Sequence, residues 1–134
     1  MIRAEARRLK GHHHEVEVDG HVVVVDEPTE AGGTDLAPSP TRLLAASLAS
    51  CTAITIGMYA DRKGWDIAGL GVAVEFEGAA KAGETTHFRV DLTLPPGLTP
   101  EQAERIEVIA GKCPVHRTLV GPVEIEIHSE VASV

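Results

Sequence analysis

Aromatic side chains are almost missing from this sequence. Its 134 residues hold two Phe, one Trp and one Tyr, 3% in all. That scarcity excludes the stacking platforms on which single-stranded nucleic acids are gripped. Basic residues are also short: 12 Lys and Arg face 20 Asp and Glu, a net charge of −8 with His neutral. A surface of that sign repels phosphate, so neither nucleic acid nor an anionic membrane is an expected partner. Cysteine is limited to Cys51 and Cys113, too few for a disulfide framework. The most apolar stretch, Leu43 to Ala60, is interrupted by Ser47, Ser50, Thr52 and Thr55, so no bilayer-spanning segment is expected. Met1 to Arg8 lacks the apolar core of a secretory leader, which makes cytoplasmic residence the expectation. In that reducing compartment two cysteines serve as thiols or as a redox couple. Cys-x-x-Cys, His-Glu-x-x-His and phosphate-cradling Gly-x-x-x-x-Gly-Lys patterns are all absent.

Hydrophobic residues make up 43% of the chain, enough for a core and for one domain over residues 1–134. Two β-rich runs, His14 to Val18 and His21 to Asp26, flank Asp19-Gly20, the pair that a type I′ hairpin turn favours. Residues 29–39 are rich in Gly, Pro, Thr and Asp and read as a connecting loop. Ser39-Pro40 opens a helix that runs to about Arg62 and stops near Gly64. Its apolar residues spread round nearly the whole circumference, so it needs cover on all sides. A chain this small cannot wrap such a helix alone, and a second subunit is the expected source of that cover.

Beyond it, Val72 to Phe76 and Phe88 to Leu94 alternate apolar and polar residues, as half-buried strands do, with a turn at residues 78–81 between them. Thr99 and Gln102, with Pro100 between them, predict a capped second helix lined by Ala103, Ile106, Ile109 and Ala110. Pro114 ends it, because the residue before a proline avoids helical geometry, and a short further turn follows. Val123, Ile125 and Ile127 predict a last strand. The order ββ-α-ββ-α-β defines an α+β domain.

Two cysteines are the main candidates for chemistry. Cys51 lies inside the long helix, where a small buried apolar residue is the ordinary reading. Cys113 precedes Pro114; a helical turn starting there would favour a thiolate, with His116 and Arg117 nearby in sequence. Together they allow a cycle in which one thiolate takes oxygen from a peroxide and the second thiol condenses with the sulfenic acid. Spacing alone does not bring them together. The run His12-His13-His14 invites a metal, but neighbouring strand residues point to opposite faces. Glu15/Glu17, Glu75/Glu77 and Glu124/Glu126 sit on outward strand faces and read as solvated.

Several segments resemble one known family. They are Asp26-Glu27-Pro28, Gly32-Gly33-Thr34-Asp35, Ser39-Pro40, Ala49-Ser50-Cys51-Thr52-Ala53-Ile54-Thr55, Met58-Tyr59-Ala60-Asp61-Arg62-Lys63-Gly64-Trp65 and Lys112-Cys113-Pro114-Val115-His116-Arg117. Over residues 14–128 the chain is similar to the OsmC/Ohr proteins, the osmotically induced and organic hydroperoxide resistance group, and most to the general OsmC-like branch. The resemblance implies antiparallel sheets around a long buried central helix in an intertwined homodimer, with sites built from both subunits. It implies a thiol peroxidase that prefers organic hydroperoxides to hydrogen peroxide, with no metal or organic cofactor and only an external dithiol reductant. Cys51 would then be the peroxidatic thiol and Cys113 the resolving one, closing a disulfide within the subunit. One departure stands out. The family places a Glu just after the helix-opening proline, partnered by an Arg, to support the thiolate; here Thr41 and Arg42 occupy those positions. Arg3, Arg7, Arg8 and Arg42 are the candidate cations, and Glu27, Glu30 and Asp35 the candidate replacement carboxylates. An alternative reading follows from that departure: a non-catalytic OsmC-like protein holding a hydrophobic small molecule in the dimer-interface groove. Metal sequestration by His12 to His14 is a third.

Overall fold

Three strands open the chain as an antiparallel meander: β1 (Ala4–Lys10), β2 (His13–Val18) and β3 (His21–Val25). A computed structural model describes residues 1–78 and 81–133. The β2–β3 turn is the one the sequence predicts, with Asp19 and Gly20 at φ 47° and 88°, both left-handed as a type I′ turn requires. β1 was not expected. It pairs with β2 from Ala4↔Val18 to Lys10↔His13, with a register shift between Arg8 and Lys10. Every residue of β1 is exposed, so it shows no apolar alternation to be read. Ladder bonds and the Arg7–Glu15 ion pair at 2.8 Å hold it instead.

The connection that follows is tightly ordered around Asp26. This carboxylate is 1% exposed and accepts from Thr34 Oγ1 at 2.6 Å and from the backbone N–H groups of Glu27, Leu36 and Thr34 at 2.7, 3.2 and 3.3 Å. A Cβ on Gly33 would stand 1.9 Å from the Glu27 carbonyl oxygen, so the backbone closes here to a distance only glycine permits. Residues Thr29–Ala31 make one 3-10 turn within this loop.

Helix α1 (Pro40–Lys63) then runs for 24 residues and ends at Gly64, whose φ of 71° suits a left-handed stop. Leu48, Thr52, Ile56 and Ala60, four residues apart, form one buried stripe. Ile54 and Met58 stay 57% and 63% exposed, so one chain leaves part of this helix uncovered. By length and composition α1 would also reach across a bilayer, contrary to the sequence expectation. The hydroxyls do not break it as a helix, since Ser47 turns its oxygen back onto the Leu44 carbonyl at 2.8 Å.

β4 (Gly71–Phe76) and β5 (Phe88–Thr93) form the second, antiparallel sheet. Phe76 and Phe88 stack across it with ring centroids 4.4 Å apart. The turn expected between these strands falls partly on residues 79 and 80, outside the described residues. α2 (Pro100–Ala110) carries the predicted capping box: Thr99 Oγ1 accepts from Gln102 N at 3.1 Å while Gln102 Oε1 accepts from Thr99 N at 2.8 Å. α3 (Pro114–Val120) follows after a two-residue turn.

The chain forms two interleaved compact units, Met1–Ala49 with Ala73–Asp91 and Ser50–Val72 with Leu92–Val134. In the second, Ile56 from α1 meets Ile106 and Ile109 from α2, ringed by Tyr59, Trp65, Leu92 and Leu94. Each such buried Ile contributes roughly 2–3 kcal/mol.

The last predicted strand does not form. Val123, Ile125 and Ile127 are 58%, 83% and 89% exposed, and no strand among the described residues pairs with them. Alternation shows that a segment can be a strand; a strand also needs a neighbouring edge, and none among the described residues receives this one.

Candidate dithiol site

Cys113 owes its position to the proline behind it. Pro114 occupies the first turn of α3 and holds Cys113 in extended geometry, at φ −69° and ψ 144°. The thiol there fills the place a Ser or Asp takes at other helix starts: its sulfur accepts from His116 N at 3.2 Å. Thr52, buried in α1, donates its hydroxyl to the same sulfur at 3.9 Å. Cys113 itself is fully buried.

Cys51, the residue before Thr52, is half-buried. The groups acting on its thiol are the Val115 amide in α3, Cys113 and Thr55, one turn along α1. Cys113 thus opens the first turn of α3 and Cys51 interacts with that same turn through the Val115 amide; both are free thiols. The structure thus brings together the two cysteines singled out by sequence.

Their electrostatics differ. Burial pushes the Cys51 thiol up, and the neighbouring Cys113 adds to this, against weaker help from Val115 and Thr55. Burial also opposes a charge on Cys113, but the His116 amide, the Cys51 thiol, Thr52 and the Val115 amide outweigh it. The Cys113 thiol falls below its ordinary value. Hydrogen bonds to the charged form are the deciding influence.

The candidate cations have other partners. Arg3 pairs with Glu5, Arg7 with Glu15, and Arg8 with the Gly11 carbonyl. Arg42 donates to Ser39 Oγ at 2.9 Å, and Arg117 to the Lys112 carbonyl at 3.3 Å. Thr41 and Arg42, where the family motif has its Glu, line an open cleft of about 1160 Å³ with Phe76, His87 and Arg89. Asp26 is the buried carboxylate of the loop, and it is consumed by the loop's own N–H and hydroxyl groups. Among the described residues no three His, Cys, Asp or Glu side chains are grouped to hold a metal. His14 Nδ1 instead lies 2.8 Å from the His12 carbonyl.

Sequence reasoning missed Thr52 and Thr55. The available signal was their placement one and four residues after Cys51 on one helix, where a hydroxyl reaches the sulfur or its neighbour. It also missed Tyr59, whose hydroxyl takes a hydrogen bond from Arg105 Nε at 3.2 Å. Arg62, Lys63 and Arg105 all stand within 5.9 Å of its ring centre.

The α+β fold thus places two free thiols, one half-buried and one buried, near the start of one helix. A family model described as OsmC-like protein matches residues 32–128. The chain belongs to the OsmC-like family, which includes the organic hydroperoxide resistance proteins. A solved protein from Psychrobacter arcticus 273-4, named for an osmotic stress and detoxification response, is 26% identical. The match covers 89% of this chain and 88% of that one, with a TM-score of 0.76. An OsmC-like protein from Mycoplasma pneumoniae shares the fold at 20% identity and TM-score 0.73, over 90% and 88% of the two chains. An organic hydroperoxide resistance protein OsmC from Legionella pneumophila does so at 24% and 0.67, over 90% of each chain. No curated protein matches this sequence.

Proposed function

We propose that this protein is a thiol-dependent hydroperoxide reductase with organic hydroperoxides as its substrates. The observation that carries this reading is the convergence of two free cysteines at the start of α3, where Thr52, the residue after Cys51, donates to the Cys113 sulfur. Cys51 is the more exposed of the two and so the one a peroxide reaches first. Its sulfur attacks the outer peroxide oxygen, the O–O bond breaks, and an alcohol leaves. Cys51 becomes a sulfenic acid. The Cys113 sulfur then displaces that oxygen as water and a disulfide closes. An external dithiol reduces the disulfide and restores both thiols. Solved relatives named organic hydroperoxide resistance proteins, from Legionella pneumophila and Bacillus subtilis, support the substrate class.

The working unit in this reading is a homodimer. Its support is the exposed Ile54 and Met58 on α1 and the unpaired strand-patterned segment of Val123, Ile125 and Ile127. A second copy supplies the cover and the edge that one chain lacks.

Steady-state reduction of cumene hydroperoxide with a dithiol reductant tests the reading. The wild-type protein turns over, Cys51→Ser does not, and Cys113→Ser loses catalytic cycling. Full turnover by Cys51→Ser would overturn it.

A further inference from the structure

Positive charge is scarce in this chain, yet three of its 12 basic residues crowd one phenol. Arg62 and Lys63 stand one turn beyond Tyr59 on α1, and Arg105 reaches the same ring from α2. Their charged ends lie 5.9, 5.6 and 5.6 Å from the ring centre. Among the described residues no ion pair joins any of the three to a carboxylate, whereas Arg3, Arg7 and Arg89 each hold one. The ring face offsets part of their mutual repulsion. The rest is left to solvent or to an added anion. Arg62 and Lys63 suit the end of α1, where the helix dipole favours cations. Arg105 has no such reason, since it lies before the last turn of α2. Its Nε donates to the Tyr59 hydroxyl at 3.2 Å, which leaves its other N–H groups and the phenol proton without a partner among the described residues. A cleft of about 450 Å³ adjoins this cluster, with Trp65, Pro95, Leu98 and Gln102 in its wall. Trp65 meets Tyr59 edge to face at 5.5 Å, and Gln102 lies one turn before Arg105 on α2. Asp66 also lines the cleft, with its carboxylate engaged by the Ala68 N–H at 2.9 Å. Cleft and cations all belong to the second compact unit. Tyr59 lies about 100° round α1 from the exposed Met58 and roughly 12 Å along the axis from Cys51.

We infer that this corner of the second unit binds a small organic phosphomonoester, its head among Arg62, Lys63, Arg105 and the Tyr59 hydroxyl and its body in the cleft against Trp65. Three cations favour a dianion over the single charge of a carboxylate, and a phosphomonoester carries about −1.5 to −2 at pH 7. The guanidinium forks of Arg62 and Arg105 match its paired oxygens. The cleft falls within the size range of small-molecule sites and gives a ring or short chain an aromatic wall. This site stands apart from the peroxidase reading, since none of its residues belongs to the dithiol site.

Calorimetric titration of the full chain with phenyl phosphate, inorganic phosphate and benzoate tests the inference. Ionic strength is held constant, because screening by added salt would mimic a loss of affinity. Trp65 is the single tryptophan and lines the cleft, so its emission reports whether the body of the ligand is seated there. Phenyl phosphate should saturate, change the Trp65 emission, and bind more tightly than inorganic phosphate or benzoate. Arg62→Gln with Arg105→Gln should weaken it about tenfold or more, the loss expected when hydrogen bonds to a charged group are removed. Lys63→Gln should weaken it in the same direction, and thermal unfolding checks that both variants remain folded. The absence of saturation with phenyl phosphate overturns the inference. So does inorganic phosphate or benzoate binding as tightly as phenyl phosphate, since the cleft or the third cation would then add nothing. Affinity unchanged in the folded Arg62→Gln, Arg105→Gln protein overturns it as well. Peroxide turnover decides none of these outcomes, so the peroxidase reading stands or falls separately.

Discussion

The hydroxyl of Thr52 donates to the sulfur of Cys113 at 3.9 Å, joining the middle of α1 to the start of α3 across 61 positions of sequence. Cys51, the residue before Thr52, acts on the same sulfur. Two structural elements thus meet through a sulfur atom.

Asp26 governs how the loop before α1 responds to acid. Its hydrogen bonds, led by Thr34 Oγ1, hold its pKa at about 2, below the ordinary 3.8. A carboxylate depressed on folding stabilises the native state above its unfolded value, and that contribution fades as pH falls from about 4 toward 2. Urea midpoints for wild type and Asp26→Asn should therefore differ at pH 6 and converge by pH 2. A difference that is the same at both pH values would contradict this.

Gly33 admits no side chain. With the added Cβ 1.9 Å from the Glu27 carbonyl oxygen, the loop must open in Gly33→Ala. Thermal or urea unfolding should show a loss of about 1–3 kcal/mol, typical of overpacking against a fixed group. Gly57→Ala serves as the comparison, since a Cβ there meets nothing within 4 Å, and should cost nothing.

Tyr59 is the single tyrosine, so its ionisation is read without interference from absorbance near 295 nm. The Arg105 hydrogen bond is the largest cause of its lowered pKa, followed in direction by Lys63, Arg105 and Arg62 charge and opposed by burial. Arg105→Ala should move the titration midpoint back toward 10, the ordinary tyrosine value. A midpoint unchanged by that substitution would remove the assigned cause.

Association rests on the uncovered face of α1. Sedimentation equilibrium should give twice the 14.2 kDa chain mass for wild type. Ile54→Glu with Met58→Glu should shift the mass toward one chain, because two carboxylates cannot be buried unpaired in an interface. A wild-type protein that sediments as a single chain contradicts the dimer.

Much of this architecture can be read from sequence, for identifiable reasons. Asp19-Gly20 and the Thr99/Gln102 box are local signals: each names its own geometry without help from distant residues. Pro114 likewise announces the start of α3 and so the helix-start position of Cys113. β1 escaped because an exposed strand held by pairing carries no burial pattern. Val123 to Ile127 erred the other way, with the pattern present and no partner edge among the described residues. At the site, each cysteine was visible separately. Their convergence was not, since it depends on α1 and α3 meeting in space. Thr52 and Thr55 read as ordinary helix residues until the sulfurs beside them were placed.

The most direct measurement is the intact mass and peptide map of the reduced protein after one equivalent of cumene hydroperoxide. A redox pair loses two hydrogens, yields one peptide linked through Cys51 and Cys113, and recovers its original mass with dithiol. Both thiols unchanged in a folded protein would contradict the peroxidase reading and leave an OsmC-like binding protein in its place.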